Sequence, residues 1–264
     1  MPRGSASSLR IVSLAPSVTS ILCAIGARRQ LVSVTKWCAD VAPVGRLPKL
    51  GDCWHMDSVD PILRLRPTLV IGSVPYKQET VANLLNQPFS FLAMNPRSLA
   101  DVYAGIRLLG GIAGKPEEAN RLILRMQAEF SRLAHACQSR RSKFTRPPRV
   151  YCEAWPNPRI SSPPWVPEIV EIAGGQFVTR AGATVTDDEI AGANPDIIIL
   201  AWAAAGNRSK PQRACNVAAW KHVSAIRNRR VHVIRDEWLN TPGPPLLRGA
   251  RALARIISGL PIKP

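Results

Sequence analysis

The sequence predicts an α/β protein of two mainly parallel-sheet lobes joined by one long rigid helix, with a ligand cleft between the lobes. Three observations predict it. Short β runs alternate with helical patterns on both sides of a central segment, that segment carries an unbroken helical stripe, and one local pattern occurs twice. The expected divisions are residues 1–114 for an N-terminal lobe, 115–142 for the linking helix and 143–264 for a C-terminal lobe.

The first lobe opens with a β run from Arg10 to Leu14, a turn at Ala15-Pro16-Ser17 and a helical pattern to Gly26. Leu31 to Thr35 reads as the second strand, Asp60 to Arg66 as a short helix and Thr68 to Gly72 as the next strand. Helix at Val81 to Asn86, strand at Phe89 to Ala93 and an amphipathic helix at Leu99 to Gly110 complete it. In the second lobe the strands fall at Arg149 to Glu153, Asp196 to Ala201 and Arg230 to Ile234. Its helices fall at Pro167 to Ala173, stopped by Gly174-Gly175, and at Leu246 to Ile257.

Between the lobes, Pro116 to Arg140 carries apolar residues at Ala119, Leu122, Ile123, Met126, Phe130, Leu133, Ala134 and Cys137, the spacing of one helical face. Pro116 suits the first turn. Glu117 and Glu118 suit the positive end of the dipole, and Arg140 and Arg141 the negative end. At helical rise the segment runs to roughly 37 Å, more than the width of one such lobe.

The repeated pattern is an acid, a short helix, a proline turn and a buried strand. Asp60-Pro61-Ile62 stands seven residues before Pro67 to Ile71, and Asp188-Glu189-Ile190 stands seven before Pro195 to Ile199. Thr186 to Glu189 also reads as a capping box.

With 264 residues, 46% of them hydrophobic, the chain can bury a sizeable core. The richest early stretch, Ile11 to Ile25, is broken by Pro16, Ser17, Thr19 and Ser20, so neither a membrane span nor a signal peptide is read there. The chain is therefore expected to be cytoplasmic, or to have lost a leader. The formal charge of +17 comes from 35 Lys plus Arg against 18 Asp plus Glu, scattered except for one run, Arg140 to Arg149. That run reads as a solvated connector, and no nucleic-acid module accompanies it. The six cysteines form no CxxC pair and are read as free thiols. No GxSxG, P-loop or HExxH motif suggests catalysis, and no metal-ligand spacing is present.

Tryptophan placement carries the functional signal. Trp37, Trp155 and Trp202 follow predicted strands, Trp238 lies just past Ile234, Trp54 sits in the loop Gly51-Asp52-Cys53-Trp54, and Tyr76 follows the strand ending at Gly72. Open parallel sheets bind ligands outside the carboxyl ends of their strands. Several indoles there suit a large, flat, partly apolar ligand such as a tetrapyrrole or corrinoid. Trp220 reads instead as core. Among the histidines, His55 beside Trp54 is the one placed to reach a ligand, and it is the candidate metal contact.

These features resemble the helical-backbone class of ABC-transporter substrate-binding proteins, and within it the cobalamin-binding periplasmic group. The segments that carry the resemblance are Arg10 to Thr19, Asp60 to Ile71, Tyr151 to Trp155, Trp165 to Gly175 and Asp236 to Pro244. The resemblance implies a binding protein without catalysis or catalytic cofactor, holding cobalamin or a related corrinoid. It implies an extracytoplasmic, periplasmic or membrane-associated location and delivery to an ABC permease dimer, with no nucleic-acid partner and with the chain acting as a monomer. Mapped here, the ligand contacts are Pro16, Ser17, Trp37, Trp54, Tyr76, Trp155, Trp165, Trp202, Glu237 and Trp238. The acids that dock on the transporter are Asp60 and Asp188. One departure is Pro245 after Pro242-Gly243-Pro244, where relatives often carry an arginine. Binding of haem, a siderophore or another metal chelate is the alternative within the class. A chelatase-like tetrapyrrole enzyme is the alternative outside it, resting on His55, Glu153 and Glu237.

Overall fold

The computed structural model describes residues 9–140, 145–206 and 208–261. The chain divides into two compact units, Met1–Pro96 with Tyr103–Ile123, and Arg97–Val102 with Leu124–Pro264. The first holds β1 (Ile11–Ser13), α1 (Pro16–Ala24), β2 (Leu31–Thr35), β3 (Lys49–Leu50), α2 (Asp60–Arg64), β4 (Leu69–Ser73), α3 (Gln78–Leu85) and β5 (Ser90–Met94). Its sheet runs β3-β2-β1-β4-β5, and every pairing is parallel. Burial explains the sequence pattern. Ile11, Val12, Val70 and Ile71 have no exposed surface, so the central strands read as apolar runs rather than alternations.

Two helices follow, α4 (Leu99–Ile112) and α5 (Pro116–Gln138). The buried face of α5 is Ala119, Leu122, Ile123, Met126, Phe130, Leu133 and Cys137, each at most 5% exposed. The stripe read from the sequence is thus the packed face. Residues of α5 up to Ile123 belong to the first unit and those from Leu124 to the second, so the helix is shared rather than a separate body. Its last turn ends at Gln138, and Arg140 donates to the carbonyl of Gly259 at 2.8 Å. Arg140 therefore caps the end of the last helix of the chain rather than its own. Residues 141–144 of the basic run, including Arg141, lie outside the described residues.

The second unit holds β6 (Arg149–Pro156), β7 (Arg159–Ser161), α6 (Val166–Ile172), β8 (Gln176–Phe177), α7 (Asp187–Ala193) and β9 (Ile197–Leu200). It continues with α8 (Gln212–Cys215), α9 (Ser224–Arg227), β10 (Val231–Val233), α10 (Asp236–Leu239) and α11 (Leu246–Ser258). Strands β10, β9 and β6 are parallel neighbours, and β8 joins β6 in parallel at Arg149 and Val150. Farther along β6, Glu153 to Pro156 pair with β7 in an antiparallel hairpin. Strands β3, β7 and β8 and the four-residue helices escape periodicity reading, because two to four residues are too few to show a period. On α5, Glu129 is nearly buried and held by Arg251 of α11 at 2.8 Å and by Arg132.

The repeat is visible in three dimensions. Helix α2, Arg66 at φ 45°, Pro67 and β4 correspond to α7, Asn194 at φ 41°, Pro195 and β9. In each copy the chain leaves the helix through one left-handed residue, and the proline then ends any helical continuation. The order β1-β4-β5 in one sheet matches β6-β9-β10 in the other. All six cysteines are free thiols.

The capping box at α7 is complete, with Glu189 N–H donating to Thr186 Oγ1 at 3.1 Å and Thr186 N–H to Glu189 Oε2 at 2.7 Å. Asp188 is exposed and takes no part in it. Thr186→Ala is therefore expected to cost about 1 kcal/mol in urea unfolding. Asp188→Ala should stay within about 0.5 kcal/mol, and the reverse ranking would show that Asp188 is the cap.

Candidate functional site

In the first unit, parallel strands bring their carboxyl ends to one edge, and the segments that follow them carry Pro16 and Ser17 at the start of α1, Trp37 in the 3-10 turn after β2, Trp54 in the loop after β3 and Tyr76 in the loop after β4. One carboxylate organises them. Asp52 accepts Nε1–H of Trp37 at 3.1 Å, the backbone N–H groups of Trp54 at 2.9 Å and His55 at 2.7 Å, and Nδ1 of His55 at 3.1 Å. An aspartate that gathers the backbone amides two and three residues ahead fixes a loop without help from the sheet. The loop is tight as well, since a Cβ on Gly51 would meet the carbonyl oxygen of His55 at 2.6 Å.

The neighbouring Cys53 is buried under the loop, and burial with the charge of Asp52 pushes its thiol up to about 12. The hydroxyl of Tyr76 donates to the Met94 carbonyl at 2.9 Å, and burial raises its phenol as well. Neither is a ready anion at neutral pH. Trp37 is half-buried with the ammonium of Lys36 4.6 Å from its ring, whereas Trp54 stands 51% exposed. Ser17 is buried at the start of α1, and Pro16 is partly exposed.

In the second unit the organising carboxylate is Glu153, fully buried where β6 leaves β9. Its oxygens accept from the Tyr151 hydroxyl at 2.9 Å, Nη1 of Arg159 at 2.9 Å and Nε1 of Trp202 at 2.8 Å. Arg159 also pairs with Asp187 at the start of α7, and its guanidinium lies 4.3 Å from the ring centroid of Trp220. Trp220 is core as expected, edge-on to Tyr151 and donating to the Asp187 carbonyl. A buried carboxylate with three donors, one of them a guanidinium, is well satisfied within the protein.

Trp202 and Trp165 are consequently core residues. Trp202 is 6% exposed with the Arg213 guanidinium 5.5 Å from its ring, and Trp165 is 1% exposed with Nε1–H donated to the Leu239 carbonyl at 2.8 Å. The expectation that tryptophans just beyond strands stay outside the core fails for Trp202, whose Nε1–H reaches the buried Glu153; Trp165, expected as a ligand contact from the resemblance, is the buried N-cap of α6. Glu237 is also largely buried, paired with Arg235, while Trp238 is half-exposed. Trp155, 42% exposed near the turn of the β6–β7 hairpin, donates to the Asn157 carbonyl. Pro245 serves as N-cap of α11.

Asp60 and Asp188 occupy the same point of each repeat copy, and both are exposed. Sequence reading missed Asp52 and Arg159. Asp52 was findable from the turn chemistry of Gly51-Asp52, whereas Arg159 acts through partners distant in sequence.

A family model described as periplasmic binding protein matches residues 11–237. The vitamin B12-binding protein of Pectobacterium atrosepticum is 24% identical over 262 residues, covering 97% of this chain and 90% of its own length. Among solved structures, the periplasmic vitamin B12 binding protein BtuF of Vibrio cholerae superposes with a TM-score of 0.73 at 21% identity, over 94% of this chain and 96% of that one. The periplasmic heme-binding protein BhuT, in complex with two hemes, gives 0.79 at 19% identity over 95% and 98%. These superpositions show a shared fold.

Removing Glu153 as Glu153→Ala leaves Trp202 and Tyr151 without partners and strips Arg159 of one of its two carboxylates. The expected loss is about 3–5 kcal/mol in denaturant unfolding, and a loss under about 1 kcal/mol would show the cluster to be dispensable.

Proposed function

Because the chain belongs to the periplasmic binding protein family, we propose that it is the substrate-binding component of an ABC importer, and that its ligand is a corrinoid. The observation that carries this reading is the pair of exposed indoles, Trp54 and Trp155, at 51% and 42%. Each stands at the carboxyl-end rim of its own sheet. A tryptophan left this open, with its loop pinned by hydrogen bonds, offers a broad apolar face at little further ordering cost. Trp37 and Tyr76 in the first unit and Trp238 in the second, all half-buried, add aromatic surface to the strand-end loops of their own units. Similarity to a vitamin B12-binding protein over nearly the whole chain supports the corrinoid.

Haem is the second reading, since a porphyrin presents the same flat face and a heme-binding protein shares the fold. A chelatase-like activity draws no support from the acids once offered for it, because Glu153 and Glu237 are committed to arginines. In the proposed role the chain works outside the cytoplasm as a monomer. Among the described residues no helix is long and apolar enough to cross a membrane.

Titration of the purified chain with cyanocobalamin, haem and a ferric siderophore, followed by tryptophan fluorescence and calorimetry, is expected to show saturable quenching by the corrinoid. Trp54→Ala should weaken it several-fold, as the loss of one stacked ring worth about 0.5–1.5 kcal/mol beyond its area. No heat and no quenching with any corrinoid would overturn the ligand assignment, and quenching by haem alone would move it to the second reading.

Asp60 and Asp188 are proposed to meet basic pockets on the two halves of the permease dimer. Capping does not account for Asp188, since Thr186 and Glu189 do that work. Charge pairs at a rim mainly steer and orient association. Asp60→Arg with Asp188→Arg is thus expected to abolish transport while leaving ligand affinity unchanged, and normal transport by the double variant would exclude the docking role.

A further inference from the structure

The parallel strands of the second unit start at one end of its sheet, opposite the segments that carry Trp155, Trp202 and Trp238. Arg149 opens β6, Asp196 immediately precedes β9 and Arg230 immediately precedes β10. The ladder holds them together, with Asp196 N–H donating to the Arg149 carbonyl at 2.8 Å and Ile198 N–H to the Arg230 carbonyl at 3.0 Å. Two helices end here as well. Arg230 donates to the Ile256 carbonyl at 3.0 Å and Arg140 to that of Gly259 at 2.8 Å, which brings the end of α5 and the last turn of α11, with Arg255, to the same place. The turn into β10 adds Arg227 and Arg229, both exposed, and the segment leading into β6 adds Arg146.

The carboxylates described at this end are Asp196, already taken by Arg146 at 2.6 Å and by the Arg149 amide, and Glu171 in the last turn of α6. The opposite end is balanced differently. There Arg159 is paired with Glu153 and Asp187, Arg180 with Glu189, and Arg235 with Glu237. Helix dipoles account for part of the asymmetry, since a cation suits the last turn of a helix, where Arg227 and Arg255 stand. They do not account for Arg229, which lies beyond α9 at φ 53°, where an arginine carries a conformational cost that glycine would not.

What such an end recognises follows from how its charges are spread. Arg149 and Arg230 stand two strand spacings apart, about 10 Å, so the guanidinium groups line a sheet end instead of converging on one point. A line of that kind suits a surface that repeats its phosphates, each able to take two donors from one guanidinium. Single-stranded nucleic acid would call for exposed rings to stack on. Among the described residues of this unit the most exposed ring is Trp155, at the other end.

We propose that the strand-start end of the second unit is a docking surface for anionic phospholipid headgroups. Resting on a negatively charged bilayer through this end, the unit turns its carboxyl-end loops and Asp188 away from the lipid. Ligand capture stays open while the protein is retained at the membrane. The surface is independent of which ligand the opposite end takes.

The test is cosedimentation of the purified full chain with vesicles of phosphatidylcholine alone and of equal parts phosphatidylcholine and phosphatidylglycerol. Wild type is expected to bind the anionic vesicles at low salt, to ignore the neutral ones, and to be released at about 1 M salt, where screening reaches only about 3 Å. Arg227→Glu with Arg229→Glu should weaken binding at least about tenfold, since each basic residue near an anionic surface contributes. Lys77→Glu with Lys210→Glu removes the same net charge from exposed positions on carboxyl-end loops and should stay within about twofold. Arg227→Gln with Arg229→Gln should show an intermediate loss, and it decides the matter if the glutamate variant fails to fold by circular dichroism. Absence of wild-type binding to anionic vesicles, or an equal loss in the lysine variant, would overturn the proposal. If a mixed-sequence DNA duplex at equal phosphate concentration strips the protein from the vesicles, the end is a nucleic-acid surface and the lipid assignment is wrong.

Discussion

A carboxylate placed where a strand of a parallel sheet runs out, gathering more donors than one turn supplies, is the constraint on which the rest of each unit depends. In the second unit it is Glu153, which ties Tyr151 of its own strand to Arg159 of the hairpin and Trp202 of the loop after β9. Through Arg159 the same cluster reaches Asp187 in the first turn of α7. In the first unit it is Asp52, which ties Trp37 to the loop of Trp54 and His55. Burying a carboxylate is costly unless its oxygens are filled, so these clusters hold one arrangement and resist alternatives. Other aromatic groups are left outside as a consequence. Each cluster uses up the polar atoms of some rings and leaves Trp54 and Trp155 exposed.

The two clusters differ in a way that matters for chemistry. Glu153 has no exposed surface and its donors come from strand, hairpin and loop, so it is structural support. Asp52 is only partly buried, and one of its partners is an exposed imidazole. A pair of the first kind holds shape, while one of the second kind leaves a ring at the surface. The two units thus share a helix, a proline turn and a strand, while their strand-end loops differ.

Much of this was legible in the sequence, for physical reasons. Ile197 to Leu200 is apolar at every position because a central parallel strand is covered on both faces. The stripe along α5 and the capping box at Thr186 are local codes, read from spacing alone. Strand β7 was not legible, being three residues long, and its antiparallel pairing extends β6 beyond Glu153 to carry Trp155 into a hairpin. Trp202 reads as a rim residue by its position after a strand, and Trp165 as a ligand contact by the resemblance. Only the packing of α10 and the reach of Glu153 across to β9 show them to be core. Burial of a loop side chain depends on partners far away in sequence, and that is the information a single sequence carries least clearly.

The central claim is that these pinned loops are the ligand-binding surfaces. Amide hydrogen exchange measured with and without saturating diaquocobinamide or ferric haem tests it most directly, because exchange reports local opening segment by segment. The account predicts slowed exchange in residues 51–56 and 154–159, with the helix that starts at Asp187 unchanged. Bound ligand, verified by absorption in the same sample, with no protection in either loop segment would contradict it.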